Sequence, residues 1–306
     1  MVQLKVGLVG AGVFGRYHAA KIDAATKAQF VGVYDPDEKR CCALASDYQV
    51  HAFACQQSLF ANLDAVIVAS PAVFHEPIVS EALSAGCHVM VEKPLALNGA
   101  GADRLVAKAD AAAKILQVGH QERFVLEAMG LFDIPETPHS IETWRMSPPA
   151  VDNRAGDVSV VWDLMIHDLD MVARLLGEPA RVHATGKRLH TAHLDEASAV
   201  LHYGATKVTL SASRSASARD RRMHLDYPSG KVRIDFLERT IENTTPFPIS
   251  SDVSDKVGDP LGLADEAFFS ACLGERTCAI PGREAALAVR LAEQADTAAL
   301  RDLGIL

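Results

Sequence analysis

Leu4-Lys5-Val6-Gly7-Leu8-Val9-Gly10-Ala11-Gly12-Val13-Phe14-Gly15 is an apolar run that breaks into three spaced glycines. A helical stretch follows, Arg16 to about Ala25. A second apolar run, Phe30 to Tyr34, ends on Asp35, twenty residues after Gly15. Strand, glycines, helix, strand and terminal acid together predict a dinucleotide site. Gly10 allows the tight turn, Gly12 lets main chain approach a pyrophosphate, and Gly15 lets helix pack on strand. Val13 and Phe14 lie inside the same loop. The helix N-terminus offers N–H groups and a positive dipole end to phosphate. Asp35 suits the adenosine ribose hydroxyls and repels a 2′-phosphate, which favours NAD. Lys39 and Arg40 follow closely and keep NADP open, although a solvated helix face is their simpler reading.

Working outward, the strand–helix alternation continues. Asp37–Tyr48 reads as helix, Val50–Phe53 as a short strand and Ala65–Ala69 as a buried strand ending at Ser70-Pro71. His75 opens a helix that Gly86 stops. Val89-Met90-Val91 is another buried strand, and it ends on Glu92-Lys93-Pro94. A helix over about Gly99–Ala113 and a strand at Ile115–Val118 complete the pattern. Such alternation predicts a parallel, doubly wound sheet. Ligands in such sheets bind beyond the carboxyl ends of the strands. Ser70, Pro71 and His75 are therefore expected beside the cofactor, as are Glu92 and Lys93; an ordinary loop dipeptide and a packing or capping histidine are the plain alternatives for the first three. A Lys between a Glu and a rigid Pro has a fixed aim, and it suits a substrate hydroxyl. A surface ion pair is the plain alternative.

The whole chain limits the choices. Its 306 residues are 49% hydrophobic and 23% charged, with net charge −9. That is the balance of a globular protein with room for two domains. It has no basic footprint for nucleic acid or an anionic membrane. No stretch approaches the roughly 20 apolar residues of a membrane span. The start, Met-Val-Gln-Leu-Lys, lacks a signal-peptide core. Cysteines 41, 42, 55, 87, 272 and 278 show neither metal spacing nor a disulfide framework. They read as free thiols in a reducing cytoplasm, and no metal is expected.

The second half changes character. Ser140–Met146 reads as a strand, and the loop from Ala150 to Asp157 is polar. Val160-Val-Trp-Asp163-Leu-Met-Ile-His167-Asp168-Leu-Asp170, running on to Leu176 and Gly177, is an apolar-periodic helix with a glycine stop. Asp163 and His167 are four apart and share a face. His167 suits a general base near neutral pH, with Asp163 orienting it. A buried structural pair is the alternative, and a metal pair would need a third ligand. Strands are predicted at Arg181–Arg188, Ala197–Tyr203, Lys207–Ser213, Arg221–Tyr227 and Lys231–Phe236, as a mostly antiparallel sheet. The Ser/Ala/Arg run at 211–219 has no evident role. Helices at Pro260–Cys272 and Gly282–Leu300 close the chain, and the last is expected to pack across both domains. The division expected is 1–120 for the nucleotide domain and 121–306 for a substrate and oligomerisation domain.

These residues add up to a resemblance. Gly10-Ala-Gly12-Val13-Phe14-Gly15, Ser70-Pro71 with His75, Glu92-Lys93-Pro94 and Asp163-x-x-x-His167 resemble the Gfo/Idh/MocA family of NAD(P)-dependent oxidoreductases. The resemblance implies a Rossmann domain and an α/β domain with a large open, mostly antiparallel sheet. That sheet often forms homodimers or homotetramers in the family. It implies Lys93, Asp163 and His167 as the catalytic set acting on a CH–OH group. Val118-Gly-His-Gln-Glu-Arg123-Phe124 and Trp162 to Asp170 are similar to the branch of UDP-N-acetylglucosamine 3-dehydrogenases. Arg123, Asp163 and His167 then become the expected substrate contacts. The chain departs from that branch at Val125-Leu126, where the branch has Asn-Pro. The function expected is hydride transfer between nicotinamide and a sugar or nucleotide-sugar secondary hydroxyl. The alternatives are an aldose or inositol dehydrogenase using an uncharged substrate, or a non-catalytic NAD(P)-sensing regulator.

Overall fold

The structure is a computed structural model and describes residues 3–149, 156–253 and 255–306. Most of the polar loop at Ala150–Asp157 lies outside the described residues. The chain divides into two compact units, residues 1–121 with 259–289 and residues 122–258 with 290–306.

The first unit holds six parallel strands. These are β1 (Leu4–Val9), β2 (Ala28–Tyr34), β3 (His51–Ala52), β4 (Ala65–Val68), β5 (His88–Val91) and β6 (Leu116–Val118), in the order β3-β2-β1-β4-β5-β6. Helices α1 (Val13–Ala24), α2 (Glu38–Asp47), α3 (Gln56–Phe60), α4 (His75–Ser84) and α5 (Gly99–Ala111) connect them. The central strands read as unbroken apolar runs because both their faces are covered. Val66, Ile67, Val68, Val89, Met90 and Val91 are all buried. Asp37 caps α2 by accepting from Arg40 N, and Asn98 caps α5 by accepting from Gly101 N. The strand order reverses between β1 and β4. That switch sets the Gly10 loop beside Ser70 and leaves Glu92 on the next strand, β5.

Residues 259–289, assigned by the sequence reading to the second domain, pack within the first unit. The reason is polar as well as apolar. Helix α8 spans Pro260–Cys272. Its Asp265 pairs with His18, its Ala264 carbonyl accepts from Gln117, and Lys27 holds Glu266 and Glu275. The short helix α3 escaped the sequence reading because five residues are too few to show periodicity.

The second unit is built on seven strands. They are β7 (Ser140–Met146), β8 (Arg181–Lys187), β9 (Glu196–Tyr203), β10 (Thr206–Ser213), β11 (Asp220–Tyr227), β12 (Gly230–Asp235) and β13 (Thr240–Asn243). Their order is β13-β12-β11-β7-β10-β9-β8. Only the β7–β10 pairing is parallel, so the sheet is mostly antiparallel, as expected. Strict alternation gives it two characters. Ile141, Leu201, Leu210, Met223 and Leu225 are buried on one face. On the other, Trp144 packs edge-on against His224 at 4.7 Å, with Arg222 over its ring at 5.3 Å.

Two helices of this unit matter most. Helix α6 (Glu122–Met129) begins where the sequence reading ended the first domain. Helix α7 (Ile166–Leu176) is preceded by a wide π-helical turn, Val161–Met165. Arg145 of β7 fastens both to the sheet. Its buried guanidinium donates to Asp168 at 2.8 and 3.1 Å and to Glu122 at 2.6 and 2.8 Å. Burial disfavours its charge, but the two carboxylates override that and hold Arg145 firmly protonated. Removing the cation strands two carboxylates, which typically costs about 3–5 kcal/mol. Arg145→Met should therefore lose stability of about that size in urea unfolding at pH 7. The loss should shrink at acid pH, where the stranded carboxylates take up protons. A variant as stable as the parent would show that the cluster anchors nothing.

Candidate active site

In the first unit, the glycine loop is shaped by close contacts. Gly10 has φ of +102°, and a Cβ there would lie 2.6 Å from the Ala69 carbonyl oxygen. A Cβ on Gly15 would lie 1.9 Å from the Gly10 oxygen, so only glycine lets α1 sit this close to β1. A Cβ on Gly12 would meet nothing within 4 Å, so its backbone faces open space. Val13 and Phe14 are exposed beside it, 49% and 43%. This is the arrangement expected for a loop whose main chain approaches a pyrophosphate.

Asp35 ends β2 and is buried. Its carboxylate accepts from Ala11 N at 2.7 Å and Asp37 N at 2.8 Å. Arg40, read from sequence as solvated, reaches it at 3.3 Å. A carboxylate has about four lone-pair sites, so capacity remains for a ribose hydroxyl. Ser70 supplies a further sign of a missing partner. Its hydroxyl oxygen is buried and has no hydrogen-bond partner among the described residues. Native proteins rarely leave such a group unmet. The glycine cradle, Asp35 and the Ser70 hydroxyl together fit a bound dinucleotide.

His75 behaves differently from the expectation of a cofactor contact. It is buried, and its ring nitrogens lie 2.6 Å from the Pro94 carbonyl oxygen and 2.9 Å from that of Ser70. Burial holds the imidazole below its ordinary range. It ties the two loops that carry Ser70 and Pro94 and so acts through their main chain. The Lys93–Pro94 peptide between those loops is cis.

Glu92 and Lys93 diverge in burial. Glu92 is buried, whereas Lys93 is partly exposed. Beneath them lies a feature the sequence reading missed. His18 of α1 is fully buried, with Nδ1 2.9 and 3.0 Å from the Asp265 carboxylate and Nε2 3.1 Å from Glu92. Gln121 donates to the same Glu92 oxygen at 2.7 Å, and a Cβ on Gly119 would crowd it. Burial pushes the imidazole down, but the charge and hydrogen bonds of Asp265, then Glu92, raise His18 to about 10. Burial likewise pushes Glu92 up, and His18, together with Lys93 and Gln121, more than offsets it, leaving Glu92 below its usual range. A cation is thus locked under the Glu-Lys-Pro turn. The only sequence signal was His18 three residues past Gly15 on an otherwise apolar helix face.

In the second unit, α7 and its π-turn sort their polar residues by burial. Asp168 and Asp170 are buried, and each ends on an arginine. Asp168 meets Arg145, and Asp170 meets Arg123 at 2.6 and 2.7 Å. Arg123, expected as a substrate contact, is itself 5% exposed and grips Asp170 with two parallel bonds. Asp163 and His167 are the residues of this segment's acid–imidazole set that stay partly exposed. Asp163 lies in the wide turn rather than in a regular α-helix, so the four-residue spacing starts from a broader arc. Such π-turns recur at functional sites. His183, His190, His193 and His202 lie elsewhere in the unit. Among the described residues no group of three His, Cys, Asp or Glu side chains could hold a metal ion.

Comparison with known proteins matches residues 4–120 to the model of the GFO/IDH/MocA oxidoreductase family, NAD-binding Rossmann fold, and residues 126–233 to the GFO/IDH/MocA C-terminal domain. The UDP-N-acetylglucosamine 3-dehydrogenase of Acidithiobacillus ferrooxidans is 33% identical over 249 residues, covering 79% of this chain and 77% of that one. The myo-inositol 2-dehydrogenase of Thermotoga maritima is 28% identical over 256 residues, covering 78% and 77%. A solved structure of the Acidithiobacillus enzyme superposes with a TM-score of 0.88 at 28% identity, covering 99% of both chains.

His18 contributes stability while it is protonated. Its folded value of about 10 lies above the unfolded 6.5, so that contribution is complete below pH 6.5 and fades as pH rises to 10. Denaturant unfolding from pH 7 to 10 should show a decline in the parent that His18→Gln lacks. Parallel pH profiles would contradict a locked imidazolium.

Proposed function

The chain belongs to the GFO/IDH/MocA oxidoreductases, whose first domain is an NAD-binding Rossmann fold, and we propose that it oxidises a secondary hydroxyl of a nucleotide sugar, with C3 of UDP-N-acetylglucosamine the leading candidate. What supports the sugar assignment most is the likeness to the Acidithiobacillus 3-dehydrogenase, over 79% of this chain in sequence and 99% in fold. The chain is an NAD-dependent oxidoreductase acting on CH–OH groups.

In the proposed mechanism, Gly10, Gly12, Val13, Phe14 and Gly15 hold the pyrophosphate, Asp35 the adenosine ribose, and Ser70 with Pro71 the nicotinamide side. Bound NAD supplies the hydride acceptor. Lys93 donates a hydrogen bond to the reacting hydroxyl and steadies its developing negative charge. His167 takes the hydroxyl proton as the carbon gives up hydride. Asp163 orients the imidazole and supports its protonated form. Arg123, through its grip on Asp170, sets the helix that carries His167. In the reverse direction His167 returns the proton. Positioned acid–base groups of this kind contribute about 10²–10⁴ in rate.

Two further proposals complete the reading. The open face of the second unit's sheet, with Trp144, His224 and Arg222, serves a homodimer or homotetramer. The six cysteines are all free thiols, which suits work in the cytoplasm. A second reading, an inositol or aldose dehydrogenase, is supported by the inositol dehydrogenases among the relatives, 28–31% identical. It is also favoured by Val125-Leu126, where the chain leaves the 3-dehydrogenase pattern.

NADH formation should be measured with UDP-N-acetylglucosamine, N-acetylglucosamine, glucose and myo-inositol. Turnover confined to the nucleotide sugar is expected, and turnover confined to myo-inositol would establish the second reading. Lys93→Ala and His167→Ala should each lower kcat at least a hundredfold, with NAD binding near that of the parent. Undiminished kcat in both variants would remove the mechanism, and absence of turnover with any alcohol would favour a sensing role.

A further inference from the structure

In the second unit Arg221 differs from four other enclosed arginines. Arg123 ends on Asp170, Arg145 on Asp168 and Glu122, Arg214 on Asp195, and Arg233 on Asp226. Arg221 is partly buried, yet no carboxylate among the described residues lies within ion-pair distance of it. The adjacent Asp220 is engaged by Arg222.

Its neighbours make the position costlier still. Arg221 of β11 stands directly opposite Arg145 of β7 in the antiparallel register. Like charges so placed repel. The carboxylates of Asp168 and Glu122 bond directly to Arg145 and reach Arg221 only as a weaker through-space attraction. Arg219, exposed, adds a third cation. Burial, then Arg145, makes the charge on Arg221 harder to hold. A sequence selected only for folding gains nothing from this arrangement, and an anion would relieve it.

The place is informative. Arg221 shares strand parity with the buried Met223, Leu225 and Tyr227, so it lies on the sheet face that Arg145 links to α6 and α7. It sits at the start of β11, opposite the end of β7. Asp168, bonded to Arg145, immediately follows His167 in the chain. Arg221 and the proposed base therefore belong to the same end of one unit. An uncharged polyol has no group that needs such a cation, whereas a nucleotide sugar carries a diphosphate next to the sugar.

We propose that Arg221, assisted by Arg219, binds the diphosphate of a nucleotide-sugar substrate. This rests on the nucleotide-sugar reading above and gives that reading a residue that selects the substrate class. Charge-assisted hydrogen bonds to phosphate are bidentate when arginine supplies them, and lysine supplies charge without the fork.

The test is calorimetric titration of the full chain with UDP, for the parent, Arg221→Gln and Arg221→Lys, with melting curves to establish that each variant folds. UDP should bind the parent, about ten- to a hundredfold more weakly to Arg221→Gln, and with intermediate affinity to Arg221→Lys. Steady-state rates should show the same loss in KM for UDP-N-acetylglucosamine, with kcat changed far less. Equal UDP affinity in parent and Arg221→Gln would overturn the subsite. If the parent still oxidised the nucleotide sugar, the substrate reading would survive that result. A parent that binds no UDP and oxidises only myo-inositol would overturn both.

Discussion

A protonated imidazole sealed between two carboxylates is the constraint on which the nucleotide unit depends. His18 joins the helix after the glycine loop, the carboxyl end of β5 through Glu92, and helix α8 through Asp265. These segments are far apart in the chain. An isolated ion at such a site would cost many kcal/mol, so each member is tolerable only because the others are present. Glu92 is thereby fixed as an anion and fixed in place, and Lys93 is the next residue. The network thus fixes the main chain from which Lys93 projects. The same network explains why residues 259–289 fold with the first unit, although the sequence returns to them only after the second unit's sheet.

The second unit solves a related problem with arginine. Asp168 and Asp170 face inward, and each meets a buried guanidinium. Those pairs fasten the helix to its surroundings and leave Asp163 and His167 as the polar residues at its partly exposed side. Charge compensation thus separates the two inward acids, which hold the fold, from the partly exposed Asp163 and His167. Arg221 stands out against that background because, among the described residues, no carboxylate forms an ion pair with it, and burial and Arg145 outweigh the attraction of Glu122 and Asp168.

Much of this was legible in the sequence. The parallel sheet, the glycine fingerprint and Asp35 depend on local spacing, and spacing survives in a one-dimensional reading. The strands at 181–235 were visible for the same reason, and their observed limits differ by a residue or so. Long-range partners were not legible. Nothing adjacent to His18 announces Asp265, which lies 247 residues away. For Arg123 a substrate contact and a structural ion pair read equally well from sequence, because its partner Asp170 arrives from another helix. His75 looked like a cofactor contact, since sequence does not reveal that two carbonyls converge on its ring. The π-turn at Asp163 was also hidden, because a helix and a slightly wider helix share nearly the same apolar pattern.

The central claim is direct hydride transfer from a sugar carbon to nicotinamide, with this chain supplying the proton-handling groups. UDP-N-acetylglucosamine carrying deuterium at C3 tests it most directly. After incubation with NAD, mass spectrometry of the reduced cofactor should find one deuterium in the nicotinamide ring, together with a 3-keto nucleotide sugar. Reduced cofactor lacking the label, or a labelled sugar recovered intact while another alcohol in the assay is consumed, would contradict the account.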